Sequence, residues 1–480
     1  MAERKRKAPE QKNSSKEITG VTAGFVLLFV IMMGYLGFYA ATHQEELLNN
    51  SYNTRQQLFA AQNQRGTIYD SKGEILAQTQ IDAQGKEKRT YPYGSLFAHA
   101  VGYTDKGKTG MEAQANFYLL QSSIPATDKV KDGKSGRKNP GDSVYTTLDL
   151  SLQEAADKAL GIYKGAVIAI EPSTGKILAM VSKPDFDPNK ISEDWEKILS
   201  DEESGVLLNR TTQGLYPPGS TFKIVTALEY IRENPDTYQN YHFSCNGSFG
   251  DGDAVINCYH GIRHGEVDLK ESFAKSCNSS FANIGLTLDR GAFAKTVDTL
   301  LFGRELPFAG VYNQSRLEIA EDESNEELMQ DAIGQGRTQI TPIHLAMITS
   351  AIANDGVLMR PYMLSLVENA QGTKVKEFSP KKYGTLMSSE EAAVLKDYMI
   401  EVVENGTGTK LKGRSYTAAG KTGSAEFSTQ KQESHAWFTG FAPAENPQIV
   451  VTVIIEGAGS GGDYAVPVAR RVFDAWLGTE

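Results

Sequence analysis

Residues 216–223 read Tyr216-Pro217-Pro218-Gly219-Ser220-Thr221-Phe222-Lys223 and run on into Ile-Val-Thr-Ala-Leu-Glu-Tyr-Ile. The Pro-Pro-Gly run stops whatever precedes it, while the residues after it carry helical periodicity. The pattern predicts Ser220 at or near a helix N-terminus with Lys223 one turn on, and positions i and i+3 share a face. A serine hydroxyl is a weak nucleophile unless an adjacent base takes its proton. A lysine can be that base only with a lowered pKa, which partial burial, a second cation or the positive helix end would give it. Alone the motif says little, because Ser-x-x-Lys recurs by chance and a serine at a helix start is ordinarily a cap.

Two further segments add weight. Ser276-Cys277-Asn278 lies within Glu271–Leu286, where Phe273, Cys277, Phe281, Ile284 and Gly285 suggest a buried helical face. Taken alone, Ser276 and Asn278 are helix-terminal polar residues. Lys421-Thr422-Gly423-Ser424 follows the small-residue run Thr417–Gly420 and leads into Ala425–Phe427. On an edge strand Lys421 and Thr422 would project to opposite faces, and Gly423 would let a substrate strand approach the backbone closely.

Around these segments the pattern is that of an α+β protein. Val144–Leu148 is a strand candidate and Leu152–Leu160 has helical spacing. Gly165–Glu171 and Lys176–Ser182 flank Pro172-Ser173-Thr174-Gly175, a hairpin signature. The same pattern returns near the C-terminus, where His435–Ala442 and Gln448–Glu456 flank Pro443–Pro447, and Val466–Leu477 is helical. Strand pairs at both ends and a mostly helical middle predict one antiparallel sheet shared by the two hairpins. Ala126–Asp142, rich in charge, Gly and Pro and without an apolar period, reads as a loop or boundary.

The net charge of −10 excludes a bulk basic face of the kind nucleic acid needs. At the N-terminus, Arg4, Lys5, Arg6, Lys7, Lys12 and Lys16 precede an uncharged run from Ile18 to Thr42. Val21–Ala41 as a helix would span roughly 30 Å, a bilayer's hydrocarbon thickness. The flanking charge would place the N-terminus in the cytoplasm. A cleaved signal peptide is the competing reading, but the apolar run is longer than an h-region and Tyr39-Ala40-Ala41-Thr42 is a poor cleavage site. Residues 43–60 are polar and helix-compatible, a plausible stalk.

The three cysteines, Cys245, Cys258 and Cys277, form no dense disulfide framework. Three readings stay open. Cys245 and Cys258 are bridged, or they bind a metal with His260 and His264, which have H-x3-H spacing, or all are ordinary thiols and histidines on a loop.

In the order S-x-x-K, S-x-N, K-T-G, the three motifs form the signature of penicillin-binding proteins and serine β-lactamases, with Ser-Cys-Asn in the second place where Ser-Asp-Asn is also found. More of the chain resembles the class B penicillin-binding proteins, the monofunctional peptidoglycan D,D-transpeptidases. Arg65-Gly66-Thr67-Ile68-Tyr69-Asp70 resembles the motif that opens their extracellular pedestal, and Gly110-Met111-Glu112 a later element of it. Residues 165–182, Gly334-Gln335-Gly336 to Pro342, and Lys421–Glu426 match the catalytic domain. The resemblance runs from Gln62 to the C-terminus and lapses over residues 121–142.

It implies a cytoplasmic tail (1–17), a transmembrane anchor (18–42), a pedestal with its linker (43–142) and a transpeptidase domain (143–480). That domain would be a five-stranded antiparallel sheet flanked by helices. Ser220 would attack the penultimate D-Ala carbonyl of a stem pentapeptide, with Lys223 as general base. Ser276 would relay the proton to the leaving amine, tuned by Lys421, and Asn278 would bind a substrate amide and hold Lys223. Thr422, Gly423 and Ser424 would line the substrate site, and the N–H groups of Ser220 and Ser424 would form the oxyanion hole. β-Lactams would acylate Ser220, and no metal or organic cofactor is required. The family works beside a polytopic glycosyltransferase, so the anchor and the Arg65 module are expected to bind one. A β-lactamase would need a dedicated deacylating base, and no segment announces one. A D,D-carboxypeptidase differs only in its acceptor, and a non-catalytic scaffold would not need the intact trio.

Overall fold

The structure, a computed structural model, describes residues 14–42, 55–201, 203–252, 254–428 and 433–478. Its contacts separate Met1–Phe59 from Ala60–Glu480. In the first unit, Ser14–Thr42 is one helix, and its Ile18–Thr42 portion is apolar and long enough to cross a bilayer. The basic cluster Arg4–Lys12 and stalk residues 43–54 lie outside the described residues.

The second unit is organised by a five-stranded antiparallel sheet in the order Ala419–Ser428, Glu433–Ala442, Ile449–Ile455, Gly165–Ile170, Ile177–Lys183. The two hairpins do share one sheet, joined where Val450 faces Ile170 and Ile455 faces Gly165. Its central strands are apolar at nearly every position because both faces are covered. Ala166, Ile168 and Ile170 enter the core that contains Pro342–Ala353. That helix is buried along its whole length, as expected of one apolar on all sides. The alternate residues Val167 and Ala169 face Leu152, Val468 and Phe473 of the helices Leu150–Leu160 and Val466–Leu477.

A six-stranded sheet ties the N-terminal module to the rest. Ile68–Tyr69, Ile75–Ile81 and Glu87–Thr90 continue through Ser143–Thr146 into Leu364–Glu368 and Lys374–Glu377. The 142/143 position therefore falls inside a sheet, with Ile68 paired to Val144. Two expectations need correction. Ala126–Lys134, read as a loop, is a helix that buries none of its residues. With no residue to bury it needs no apolar period, so composition and period alike pointed to a loop. The helical face expected over Glu271–Leu286 is two helices, Leu269–Ala274 and Asn278–Thr287, broken at Ser276, whose φ is +56°.

Candidate active site

The turn that carries Ser220 is built from the Pro-Pro-Gly run. Gly219–Phe222 is a single 3-10 turn that feeds the helix Lys223–Glu233, so Ser220 sits half-buried where the two join. Gly219 has φ +53°, and a Cβ there would lie 2.9 Å from Ser424 O and 3.0 Å from Ala425 Cα. Its N–H donates to Gly334 O (2.8 Å), and a Cβ on Gly334 would in turn strike Gly219 O. Trp437 Nε1 donates to Pro217 O (3.0 Å), and the Tyr216 hydroxyl donates to Glu456, which also accepts from Arg210 (both 2.7 Å). The turn is thus pinned from three sides, as positioning of a reacting group requires.

Lys223 is fully buried, and its Nζ lies 3.1 Å from Ser220 Oγ. The same ammonium position reaches Ser276 O (2.7 Å), Ser276 Oγ (3.3 Å) and Asn278 Oδ1 (2.7 Å). Lys421, also fully buried, comes from the edge strand Ala419–Ser428 and donates to Ser276 Oγ (2.8 Å) and Thr422 O (3.1 Å). Ser276 therefore stands between two lysines, and the helix break at that residue puts it there. Five of the expected residues, Ser220, Lys223, Ser276, Asn278 and Lys421, form one connected hydrogen-bond chain.

Among the described residues no carboxylate pairs with either lysine. Burial pushes the Lys223 amine down to about 8, against a smaller opposing pull from the Cys277 and Cys258 thiols. Burial, and then the positive charge of Lys223, holds Lys421 well below the ordinary lysine range. Each amine lies over an aromatic ring, Lys223 over Phe281 and Lys421 over Phe273, which partly offsets the lost hydration.

The remaining expected residues line the adjoining edge strand. The Thr422 and Thr407 hydroxyls are bonded to each other, and the Ser424 hydroxyl accepts from Gly461 N (3.3 Å). The position of Gly423 changes its reading. A Cβ there would meet Pro218 O at 2.9 Å and Thr221 Cγ2 at 3.0 Å, so this glycine lets the strand pack on the turn that carries Ser220. Sequence reasoning missed Thr407, which belongs to no motif.

Behind Asn278 lies a fold of two short ribbons, His242–Cys245 with Gly265–Asp268 and Ser248–Asp251 with Ala254–Asn257. All three cysteines are free and buried there, so the bridged reading fails. His264 Nδ1 joins them, 3.4 Å from Cys245 Sγ, whereas His260 is exposed and outside the group. The H-x3-H spacing offered both histidines, but His260 lies in the exposed turn Tyr259–Gly261.

Residues 165–474 match the penicillin binding protein transpeptidase domain, and residues 65–144 match the penicillin binding protein A dimerisation domain. A peptidoglycan D,D-transpeptidase of Mycolicibacterium smegmatis is 30% identical, over 95% of this chain and 98% of its own length. One of Acinetobacter baumannii is 30% identical over 81% of this chain and 66% of its own length. Among solved structures, penicillin-binding protein A of M. tuberculosis, as a cephalosporin acyl-enzyme, superposes with a TM-score of 0.79 at 28% identity, covering 88% of this chain and all of that one. A D,D-transpeptidase domain from Eggerthella lenta gives 0.78 at 32% identity, covering 87% of this chain and 99% of that one.

Proposed function

Because the chain belongs to the class B penicillin-binding proteins, we propose that it cross-links peptidoglycan stem peptides through an acyl-enzyme on Ser220. The observation that carries the assignment is the buried Lys223 amine 3.1 Å from Ser220 Oγ, with no carboxylate among the described residues to keep it charged. A neutral Lys223 takes the hydroxyl proton as Ser220 attacks the penultimate D-Ala carbonyl. Ser276, held between Lys223 and Lys421, passes a proton to the departing D-Ala amine. Asn278 holds Lys223 through its Oδ1. The N–H groups of Ser220 and Ser424 receive the oxyanion, an effect worth roughly 3–4 kcal/mol per donor. Their proximity is supported by the contact of Gly219 with Ser424. Thr422 and Ser424 take the substrate carboxylate beside Lys421, with Gly423 keeping their strand against the turn. The amine of a second stem peptide then displaces Ser220 and closes the cross-link.

The N-terminal helix anchors this chemistry to a membrane, with residues 1–17 cytoplasmic and the catalytic domain outside. The helix and the Arg65 module are the surfaces we assign to a polytopic glycosyltransferase. The test of the acyl-enzyme uses the full chain in detergent with benzylpenicillin, followed by intact mass over hours beside Ser220→Ala. One persistent adduct, absent from the variant, is expected. Rapid adduct loss with drug turnover would instead mark a β-lactamase, and no adduct at any dose would sink the assignment.

A further inference from the structure

Gly219, the residue before Ser220, gives its N–H to Gly334 O, so whatever fixes Gly334 also fixes the turn that carries Ser220. Gly334 lies in a loop, residues 333–338, that leaves the helix Asn325–Ala332. That helix is tied in turn to Lys223–Glu233, whose Thr226 hydroxyl donates to Ala332 O (2.7 Å). The two carbonyls at this junction stay in place only while the loop stays closed, and it closes on Asp331. Gly334 N donates to Asp331 O (2.9 Å), and the Thr338 hydroxyl donates to Asp331 Oδ1 (3.3 Å). A Cβ on Gly336 would lie 3.0 Å from that same carboxyl oxygen.

Asp331 shares its place with a second acid. Both Asp331 and Glu323 are buried, and their carboxyls lie against each other. Arg337, half-exposed, pairs with Glu323 Oε1 and stands 3.5 Å from Asp331 Oδ2. One guanidinium thus faces two carboxyls that have left water. Among the described residues, Glu323 Oε2 and Asp331 Oδ2 accept no hydrogen bond. Ionised carboxylates only accept, so two of them meet out of water at low cost only with a proton between them. Burial first, and then Glu323, push the Asp331 carboxyl up to about 7.

Little else there can titrate. Glu321, Asp322, Glu326, Glu327 and Arg316 are exposed, and Arg290 bonds Glu321 O (2.6 Å) and Asn325 Oδ1 (3.5 Å). Asn278–Thr287 and Ala254–Asn257, which pack on the helix, carry no titratable side chain. Lys223–Glu233 directs Lys223 at Ser276 and Glu229 at Thr296. We infer that Glu323, Asp331 and Arg337 are positioning residues for acylation: the two carboxyls, joined by a shared proton or by the guanidinium, hold closed the loop that sets Ser220. With the proton present the carboxyls bond one another. When it leaves, Arg337 draws both in, so the loop stays closed across the working range and Gly334 O keeps the Gly219 N–H. The inference rests on the acyl-enzyme reading of Ser220.

The experiment removes one of the two fastenings and reads the other through pH. Acylation of the full chain in detergent by a fluorescent penicillin is followed by stopped flow from pH 6 to 9. Arg337→Met is expected to match wild type at pH 6, where the proton joins the pair, and to fall about tenfold behind at pH 9, where nothing does. Adding Asp331→Asn, whose amide stands in for the protonated carboxyl, is expected to abolish that alkaline deficit. An Arg337→Met profile parallel to wild type throughout overturns the positioning role, as does a deficit that persists in the double variant. A deficit accompanied by loss of the circular dichroism spectrum overturns it too, because the three residues would then only stabilise the fold. The proton has its own readout. The infrared difference between wild type and Asp331→Asn at pH 6 is expected to contain a carboxylic-acid carbonyl band that is gone at pH 9, and its absence overturns the shared proton. A wild-type chain that shows the band but never acylates counts against the proposed function and leaves the carboxyl pair standing.

Discussion

Arg65, Arg89 and Glu112 in the N-terminal module and Lys223 and Lys421 in the cleft are all withdrawn from water, yet only the first group brings its counter-charge with it. Glu112 is fully buried and accepts from Arg65 Nε (2.6 Å) and Arg89 Nε (2.7 Å). Arg65 also donates to Asn116 (2.6 Å), and Arg89 to Gly66 O (2.6 Å). Burial pushes the Glu112 carboxyl up, but the two guanidiniums outweigh it and hold the group below the ordinary carboxylate range. That cluster stays charged, and its work is to fix a fold. The cleft lysines are bonded to hydroxyls, carbonyls and an amide, and burial drives them toward neutrality. A cation buried with an anion makes structure, whereas one buried without an anion becomes a base.

The comparison breaks most sharply at Lys223. Lys223→Met keeps the apolar length and removes the amine, and a positioned general base is worth about 10²- to 10⁴-fold. We expect the second-order rate of penicillin acylation to fall by that range while the chain stays folded by circular dichroism. A variant acylating within tenfold of wild type would remove Lys223 as the base. Glu112→Ala should do the reverse. Leaving two guanidiniums buried without their partner costs about 3–5 kcal/mol, so the melting temperature should drop steeply. Below its melting point the variant should still acylate at close to the wild-type rate. Loss of acylation without loss of stability would show that the pedestal cluster reaches into the chemistry.

The contrast also sets a pH dependence. With the Lys223 amine near 8, acylation should rise with pH, about tenfold per unit below that value, and level off above it. Stability carries the same sign. A free lysine titrates near 10.4, so between about 8 and 10.4 the unfolded chain binds more protons, and Lys223 makes the fold more stable as pH rises. A flat acylation profile from pH 6 to 9, read as stopped-flow rates with a fluorescent penicillin, would contradict a neutral lysine base.

The same division explains what could be read from the chain. The hairpins around Gly165 and Ile449 were legible because turn chemistry specifies them, whereas Ser220, Lys223 and Lys421 stood out only as an ordered set of motifs, each weak alone. The break at Ser276 was not, since helical periodicity runs straight across it and no glycine marks the positive φ. Arg65 and Glu112 each stood in a recognisable motif, but Arg89 lies on a short polar strand and meets them only in the fold. Cys277 was read as a core residue of a helix, whereas His264 stood with His260 in the metal reading beside Cys245 and Cys258. That Cys277 joins the group and His260 does not depends on how two ribbons fold back, which no local pattern encodes.

The smallest expected effect concerns Thr407, which bonds the Thr422 hydroxyl and lies outside every motif. Thr407→Val keeps the shape and removes the hydroxyl, leaving Thr422 with one fewer partner beside the proposed substrate carboxylate site. An ordinary hydrogen bond contributes about 1 kcal/mol, so the acylation rate should fall roughly fivefold. Because no titrating group is touched, the pH midpoint set by Lys223 should stay where it is. If the midpoint moved instead, the hydroxyl pair would belong to the network that tunes the lysines, and the line between the neutralising cleft and its substrate-binding edge would have to be redrawn through Thr422.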